Sequence, residues 1–386
     1  MISTHLNSGL NNMLKNDFCM ANGCYLLSHS VGRPLKNTQQ YLAQHYFLPW
    51  ESSNKEPWQQ WLPAVEQFTT ALSQLFNTPS SLFCPQVNLS SGLTKLLMSH
   101  SRLQQKNCKV LMAQSDFPSM GFVMQNALPA CAQIIFIPEH EDLSDINVWS
   151  RYLTADIDLV FISYVYSNTG VQAPVHEVVA QSKLVNSLSI IDVAQSAGVI
   201  PLDLSALDAD FMIGSSVKWL CGGPGAAYLW VNKNQLECCK PKDVGWFSHQ
   251  NPFEFDIHHF EYNSSALKFW GGTPSVAPYI IAANSINYFA KLGVEKIRAH
   301  NFAMVTLIHE QLGEFVFSPI SIEKCSGTVI LDFKGDQDIV FQALVNKGIS
   351  VDVRKYGIRV SPHIYNTIDD MLLFILTVKQ AIKGVD

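Results

Sequence analysis

The sequence predicts an α/β protein with a large domain on a mostly parallel sheet and a smaller C-terminal α+β domain. Between about residues 60 and 230, short apolar runs alternate with helical patterns, which is typical of parallel strands joined by helices. Apolar residues make up 47% of the 386 residues and charged residues 15%, so a large core is expected. From about residue 275 the pattern changes to helices, strand-like runs and a final helix. We therefore expect an N-terminal arm and large domain over 1–274, and a small domain over 275–386.

The elements follow from the hydrophobic period of each segment. Helical spacing in the large domain predicts helices over Trp61–Leu75, Leu93–Gln105, Pro118–Leu128 and Val175–Asn186. Short continuous apolar runs predict strands over Val110–Ala113, Ile134–Pro138, Leu159–Tyr164, Ser189–Asp192, Phe211–Gly214 and Ala227–Val231. The small domain is predicted to contain helices Ala277–Leu292 and Val294–Leu312, strands Thr328–Asp332, Ile349–Val353 and Gly357–Val360, and helix Ile368–Ile382. An aromatic, Gly- and Pro-rich loop, Pro241–Pro274, lies between them.

Composition excludes several classes of function. The net charge is −6 and no Lys/Arg cluster stands out, which argues against a nucleic-acid-binding surface. No apolar run is long enough to span a membrane, and the first residues lack the pattern of a signal peptide, so a cytoplasmic location is expected. The nine cysteines are scattered and form no C-x-x-C motif, which favours free thiols over a disulfide framework or a metal site.

Lys218 is the first candidate catalytic residue. It lies between two apolar strands, just before the glycine-rich turn Gly222–Gly225. Asp192 ends another strand that is predicted to be buried. A lysine that can form a Schiff base and a carboxylate that can face a pyridinium nitrogen are the groups that pyridoxal phosphate requires. A surface lysine is the alternative for Lys218 alone, but the other candidates favour the cofactor.

Further candidates lie at the ends of predicted strands or at the start of a helix. Phe117 and Asn168 follow strands, as Asp192 does, and ligands bind at the carboxyl ends of parallel strands. Phe117 is suited to stack on a cofactor ring, with core packing as the alternative. Gly92, Leu93 and Thr94 precede an apolar helix and could hold a phosphate, with an ordinary N-cap as the alternative.

Two further residues carry open alternatives. Arg359 lies inside an apolar strand, where a guanidinium needs an anionic partner. That partner is either a substrate carboxylate or a carboxylate of the protein itself, and Asp352 and Arg354 could pair with each other. His249, in the aromatic loop, is either a catalytic acid/base or a hydrogen-bonded loop histidine.

Taken together, these segments resemble the class V aminotransferase family of fold-type-I pyridoxal phosphate enzymes, and kynureninases within it. The resemblance runs from Tyr25 to the final helix and rests on the order of the motifs. Its parts are the phosphate turn Leu93–Thr94, the segment Phe117–Ser119, the strand end Asp192–Gln195, Lys218 with its glycine turn, the loop Gly245–His249, and the ending from Asp352 to Asn366.

The resemblance implies a fold-type-I architecture and assigns roles to individual residues. It implies a homodimer with active sites at the interface, where Thr273 reaches the cofactor phosphate of the partner subunit. The residues implied to contact the cofactor are Lys218, Asp192, Gln195, Leu93, Thr94, Phe117, Asn168, Ser216, Trp246 and Thr273. Those implied to face the substrate are Arg359, His249 and Ser30.

Four positions depart from the kynureninase pattern. Gln195 stands where a histidine is usual, Val217 where a tyrosine is usual, Met120 where an aspartate is usual, and Thr273 where an asparagine is usual. The changes affect the substrate side and the handling of protons, while the cofactor residues remain. The sequence therefore predicts a pyridoxal-phosphate enzyme acting on an amino acid, by transamination or related chemistry at Cα or Cβ.

Three alternatives accompany this prediction. One is kynureninase-type hydrolysis of kynurenine to anthranilate and alanine. A second is a non-catalytic binding protein on the same fold. Cysteine desulfuration is disfavoured, because the segment Ile349–Pro362 contains no cysteine and Cys325 lies at a strand start.

Overall fold

The computed structural model describes residues 14–383, and its largest element is a seven-stranded sheet. The strand order is β2–β8–β7–β6–β5–β3–β4. The five strands from β3 to β7 run parallel, whereas β8 is antiparallel to both of its neighbours. The bounds are β2 Phe83–Gln86, β3 Lys109–Ala113, β4 Gln133–Ile137, β5 Leu159–Ser163, β6 Leu188–Asp192, β7 Phe211–Ser215 and β8 Ala227–Val231.

Helices cover both faces of this sheet. Their bounds are α1 Thr38–Leu42, α2 Leu48–Glu51, α3 Trp58–Phe76, α4 Leu89–Ser99, α5 Pro118–Ala127, α6 Ile146–Tyr152, α7 Val175–Leu184 and α8 Ala277–Leu292, with a π-helical turn, Ala43–Phe47, between α1 and α2. Helices α3, α6, α7 and α8 pack on one face, and α4 and α5 pack on the other. Alternate residues of β5 enter the two cores, so the strand is apolar throughout.

A second unit follows in the chain. It contains helices α9 Val294–Leu312, α10 Gln337–Asn346 and α11 Ile368–Lys383, and strands β9 Val329–Leu331, β10 Ile349–Ser350, β11 Asp352–Arg354 and β12 Gly357–Val360. Strands β11, β12 and β9 form an antiparallel sheet. The N-terminal strand β1, Cys24–Tyr25, pairs with β10. Leu26 packs in the hydrophobic core formed by the C-terminal helices and strands. The N-terminal arm is thereby held against the C-terminal elements.

The predicted fold class is confirmed: a mostly parallel α/β sheet is followed by a smaller C-terminal α+β region. The division at residues 274 and 275 stays a prediction. One helix start was wrong, because α4 begins at Leu89 instead of Leu93. The Asn88 side chain accepts a hydrogen bond from the Ser91 N–H and caps the helix one turn earlier. Over residues 14–383, none of the helices is long and apolar enough to cross a membrane.

Candidate active site

A pocket of about 160 Å³ opens at the carboxyl edge of the parallel strands. Ligands bind at this edge in open α/β sheets, because the loops that leave the strands converge there. Ser163, Asp192 and Ser215 are the last residues of β5, β6 and β7. The lining is Leu89, Ser90, Ser115, Phe117, Ser119, Met120, Ser163, Val165, Tyr166, Ser167, Asp192, Ala194, Gln195, Ser215, Val217 and Lys218.

Asp192 presents a buried carboxylate to this pocket. One of its oxygens accepts a hydrogen bond of 2.8 Å from the Ala194 N–H. Burial raises the pKa of Asp192, while the Ala194 N–H and the charge of Lys218 oppose that rise. A buried carboxylate at this position is suited to pair with a protonated ring nitrogen.

Lys218 extends its amine into the same pocket, three residues beyond the end of β7. Its Nζ atom lies 6.0 Å from the centroid of the Phe117 ring. Burial lowers the pKa of Lys218 to about 8; Asp192 opposes this shift and Arg359 adds to it. A larger fraction of the amine is therefore neutral, and hence nucleophilic, near neutral pH than for an exposed lysine.

This pKa predicts how cofactor uptake depends on pH. The neutral amine is the form that attacks the cofactor aldehyde, so covalent uptake by the apoprotein should rise about tenfold per unit below about pH 8 and level off above it. Stopped-flow absorbance of added pyridoxal phosphate, from acid to alkaline pH, measures this rate. A rate that is flat, or that falls as the pH rises towards 8, would contradict the assignment.

Phe117 offers a free aromatic face. It precedes Pro118, the first residue of α5, and its side chain is 55% exposed. A large aromatic side chain that is exposed beside a buried lysine and a buried carboxylate is suited to stack on a planar ring. Its position is compatible with the predicted stacking role.

The residues at the expected phosphate-binding end of the pocket differ from those predicted. Leu93 is fully buried in the core, and Thr94 lies in the second turn of α4, outside the pocket lining. Leu89 and Ser90, in the first turn, line the pocket instead. The N–H groups of a first helical turn have no intrahelical partner, so they are suited to bind a phosphate. The reason for the difference is the earlier helix start at Asn88.

Two other residues predicted to contact the cofactor form hydrogen bonds to other segments of the protein. Ser216 is fully buried, and its hydroxyl donates to the Ala226 carbonyl at 2.8 Å. Its neighbour Ser215 lines the pocket. Gln195 lines the pocket and bridges two segments, because its amide donates to the His29 carbonyl at 3.1 Å and accepts from the Trp219 indole at 3.3 Å.

The remaining predicted contacts lie outside the lining of this pocket. Asn168 lies in the turn after β5, next to the lining residue Ser167. Trp246 donates to the Thr273 hydroxyl at 3.3 Å, which joins the two ends of the aromatic loop. Nδ1 of His249 accepts from the Asn251 N–H at 2.9 Å. The other ring nitrogen of His249 is buried and has no partner within the described part of the chain.

Arg359 is bound to a carboxylate of the protein. Its Nε and Nη2 atoms donate to the two oxygens of Asp352 at 2.9 and 2.5 Å, and Nη1 donates to the Ser167 carbonyl at 3.3 Å. Burial would raise the pKa of Asp352, but the hydrogen bonds from His29 and Arg359 hold it well below its usual range. Ser30, predicted to face the substrate, is exposed on the segment that carries His29.

Sequence reasoning missed two residues at this edge. Tyr166 lines the pocket, is 1% exposed, and its hydroxyl has no partner among the described residues. Asp116 accepts hydrogen bonds from the Ala113 N–H and the Ser163 hydroxyl at 2.8 and 2.6 Å. Burial raises the pKa of Asp116 to about 7. Both residues follow parallel strands, and that position was the signal available in the sequence.

Gly32 lets the N-terminal arm pass directly over the lysine turn. Its N–H donates to the Val217 carbonyl at 2.9 Å, and a Cβ atom there would lie 2.2 Å from the Lys218 carbonyl. Gly32→Ala is expected to lower the free energy of unfolding by about 1–3 kcal/mol and to weaken cofactor uptake. Thermal or urea unfolding measures the first effect, and absorbance titration the second.

Gly121 provides the matched control. It lies in α5, and nothing is within 4 Å of the position that its Cβ would take. Gly121→Ala should stabilise the protein by up to about 1 kcal/mol and leave cofactor uptake unchanged. Equal behaviour of the two variants would contradict the close approach at Gly32.

The chemistry of the pocket fits pyridoxal phosphate. It combines a buried lysine of lowered pKa, a buried carboxylate, a free aromatic face and the first turn of a helix, supplied by Lys218, Asp192, Phe117 and Leu89–Ser90. Over residues 14–383, no group of three or more His, Cys, Asp or Glu side chains could hold a metal ion.

The chain is similar in sequence and fold to known proteins of one enzyme family. The chain is 24% identical to the uncharacterized aminotransferase YcbU of Bacillus subtilis (strain 168), over 74% of this chain and 75% of that one. It is 23% identical to the kynureninase of Pseudomonas fluorescens, over 89% and 85%. Its fold matches the apo cysteine desulfurase of Thermococcus onnurineus NA1 with a TM-score of 0.86 at 18% identity, covering 100% of both chains. The family model described as aminotransferase class-V matches residues 31–374, so this chain belongs to the class-V aminotransferase family.

Proposed function

We propose that this protein is a pyridoxal-phosphate-dependent enzyme that removes the amino group of an amino acid by transamination. The observation that carries the proposal is the placement of Lys218, Asp192 and Phe117 around one pocket, with the amine 6.0 Å from the aromatic ring centroid. Family membership supports the same conclusion, because class-V aminotransferases use this cofactor.

Each residue has a separate task in this proposal. The bound cofactor supplies an electron-accepting ring, and Asp192 keeps the ring nitrogen protonated. Lys218, whose pKa burial lowers to about 8, would take the proton from the α-carbon of the amino acid and deliver it to the cofactor carbon that retains the amino group. Arg359 binds the substrate carboxylate. Among the described residues, three of its five N–H groups are engaged by the protein, which leaves two for a ligand.

Transamination is the reaction that requires the fewest additional groups. It needs the transfer of one proton from the substrate α-carbon to the cofactor and the entry of water, for which the lysine and an open pocket suffice. Desulfuration needs a mobile cysteine that faces the substrate. Cys325 is buried and lies within 3.4 Å of the Arg298 guanidinium, so it does not meet that requirement.

Kynureninase-type hydrolysis is the second candidate, and one observation favours it. The buried hydroxyl of Tyr166 has no partner among the described residues and belongs to the pocket lining. Hydrolysis at a side-chain carbonyl requires a polar hydrogen to stabilise the developing oxyanion, and a tyrosine hydroxyl is suited to supply it. The similarity to kynureninases supports this candidate as well.

Product analysis separates the proposals. The purified, cofactor-loaded protein would be mixed with L-kynurenine, 3-hydroxykynurenine and a panel of ordinary amino acids, and mass spectrometry would follow cofactor and products. Transamination predicts a keto acid and the amino form of the cofactor in equal amounts. An anthranilate-type product plus alanine would replace this proposal with the hydrolase. A loaded protein that changes none of these compounds would favour the non-catalytic binding protein.

We also propose that the protein is a homodimer whose interface includes the aromatic loop. Phe255 and Ile257 are 81% and 92% exposed, and Phe253 and Phe260 are about half exposed. Contiguous exposed apolar side chains mark interaction surfaces, and in this family the active sites form between subunits.

Ile257→Asp tests this interface. A buried charge would oppose association, so light scattering should show the dimer dissociating at concentrations at which the wild type remains dimeric. Leu184→Asp is the matched control, because Leu184 is 81% exposed on helix α7, outside the loop, and its replacement should leave the dimer intact. A monomeric wild type, or equal behaviour of both variants, would contradict the proposed interface.

A further inference from the structure

Arg359 is the centre of a hydrogen-bond chain that joins distant segments. Asp352 lies opposite Arg359 in the antiparallel pair of β11 and β12, so both side chains lie on one face of the hairpin. The pairing is bidentate, through Nε and Nη2 of the guanidinium. A bidentate pair fixes the plane of the guanidinium as well as its position.

The same carboxylate receives a third hydrogen bond, from the N-terminal arm. Nε2 of His29 lies 2.9 Å from Oδ1 of Asp352, and Nδ1 of His29 lies 2.7 Å from the Ser361 hydroxyl. The Ser361 hydroxyl lies 2.7 Å from that of Thr328. Because the carboxylate can only accept, Nε2 of His29 carries the hydrogen.

Most side chains of this hydrogen-bond network are buried, whereas the Asp352 side chain is 25% exposed. Arg359 and His29 are 5% and 2% exposed, and Ser361 is fully buried. Buried polar groups that satisfy one another hold a single arrangement, because breaking any one bond leaves its partner unpaired. The guanidinium is therefore fixed before a ligand arrives.

We propose that Asp352 and His29 are the positioning residues of Arg359: they hold its guanidinium ready for the carboxylate of the amino acid substrate. The inference rests on the proposed binding of that carboxylate by Arg359. Neither residue touches the substrate, so both act through the arginine. Preorganisation of this kind strengthens binding, since the cost of ordering the side chain is met in the free enzyme.

The test uses the cofactor-loaded enzyme and five variants, one of which, Arg359→Gln, removes the guanidinium itself. Asp352→Asn and His29→Leu remove the bidentate acceptor and the histidine donor, and His29→Gln offers an amide donor in place of the ring. Arg354→Gln is the matched control: its Nε lies 3.4 Å from the same carboxylate, but its side chain is 58% exposed. Exposed ion pairs contribute little, so this variant should match the wild type.

We expect Asp352→Asn and His29→Leu to raise KM for the amino acid by about tenfold or more, with kcat within about threefold of the wild type. His29→Gln should lie nearer to the wild type than His29→Leu. Binding of the corresponding amine that lacks the carboxylate, measured by titration of the cofactor absorbance, should stay within about threefold in every variant. A general structural defect would weaken amine and amino acid alike and would lower the melting temperature.

The outcomes separate the inference from the proposal on which it rests. If Arg359→Gln raises KM while Asp352→Asn and His29→Leu do not, the positioning role is wrong and the carboxylate site stands. If the two variants weaken amine and amino acid equally, the residues are structural only, which also overturns the inference. If Arg359→Gln itself leaves KM unchanged, both the carboxylate site and the positioning role fail. If Asp352→Asn does not fold, the comparison of His29→Leu with His29→Gln decides whether the positioning role is correct.

Discussion

Lys218→Ala is expected to lower turnover of the amino acid substrate by at least about 1,000-fold. In the proposed mechanism the variant loses the amine that bonds to the cofactor and the base that moves the α-proton, and general base catalysis alone contributes about 100- to 10,000-fold. Steady-state and single-turnover kinetics with saturating pyridoxal phosphate measure the loss. Saturation is needed because the variant also loses the covalent part of cofactor binding.

The control for this variant is an exposed lysine in the aromatic loop. Lys242 is exposed and lies outside the pocket, so Lys242→Ala should keep wild-type turnover. Addition of a small primary amine should restore part of the activity to Lys218→Ala, because the amine can take up the lost proton transfer. Turnover of Lys218→Ala within tenfold of the wild type would remove this residue from the mechanism.

Asp192→Asn is expected to lower turnover by at least about 100-fold with little change in the fold. Asparagine can still accept the hydrogen bond from the Ala194 N–H, so the loop after β6 keeps its anchor. It cannot balance a protonated ring nitrogen, and the ring then accepts electrons from the substrate poorly. Kinetics, together with circular dichroism to verify the fold, measure the effect.

The control for this variant is a second aspartate, which lies outside the pocket. The Asp208 side chain is 72% exposed, and its contact with Lys183 is 4.0 Å long, so Asp208→Asn should behave as the wild type. Retained turnover in Asp192→Asn, to within a factor of ten, would show that the ring nitrogen does not depend on this carboxylate.

The strands of the large sheet could be predicted because each is buried on both faces. Leu159–Ser163 and Leu188–Asp192 are apolar almost throughout, which is how a covered parallel strand appears in a sequence. Because Asp192 and Phe117 both lie at the carboxyl ends of strands in this sheet, the sequence alone predicted that they are near one another. Lys218 joined them because its turn follows the adjacent strand β7.

The start of helix α4 could not be predicted from the glycine before Leu93. Ser90, Ser91 and Gly92 suggested a loop, but Asn88 supplies a side-chain cap that begins the helix earlier. Serines in the first helical turn are common, so composition alone does not separate a loop from a capped turn. The first turn, and with it the expected phosphate site, was therefore placed four residues too late.

The partner of Arg359 depended on strand register, which the sequence left open. The sequence suggested that Asp352 pairs with Arg354, whose Nε lies 3.4 Å from the carboxylate, but the hairpin register also places Asp352 opposite Arg359. The contact with His29 spans 323 residues of sequence and arises because the N-terminal arm pairs with β10. Hydrophobic periodicity describes local structure, so it does not predict contacts between residues that are far apart in the sequence.

The most direct test of the proposed site is to map where the cofactor bonds to the protein. The cofactor-loaded enzyme would be reduced with borohydride, which makes a bond between a lysine and pyridoxal phosphate permanent, then digested and analysed by mass spectrometry. We expect one modified peptide, carrying the cofactor on Lys218, in about one copy per chain. Modification of another lysine, or none at all in protein that has been incubated with the cofactor, would contradict it.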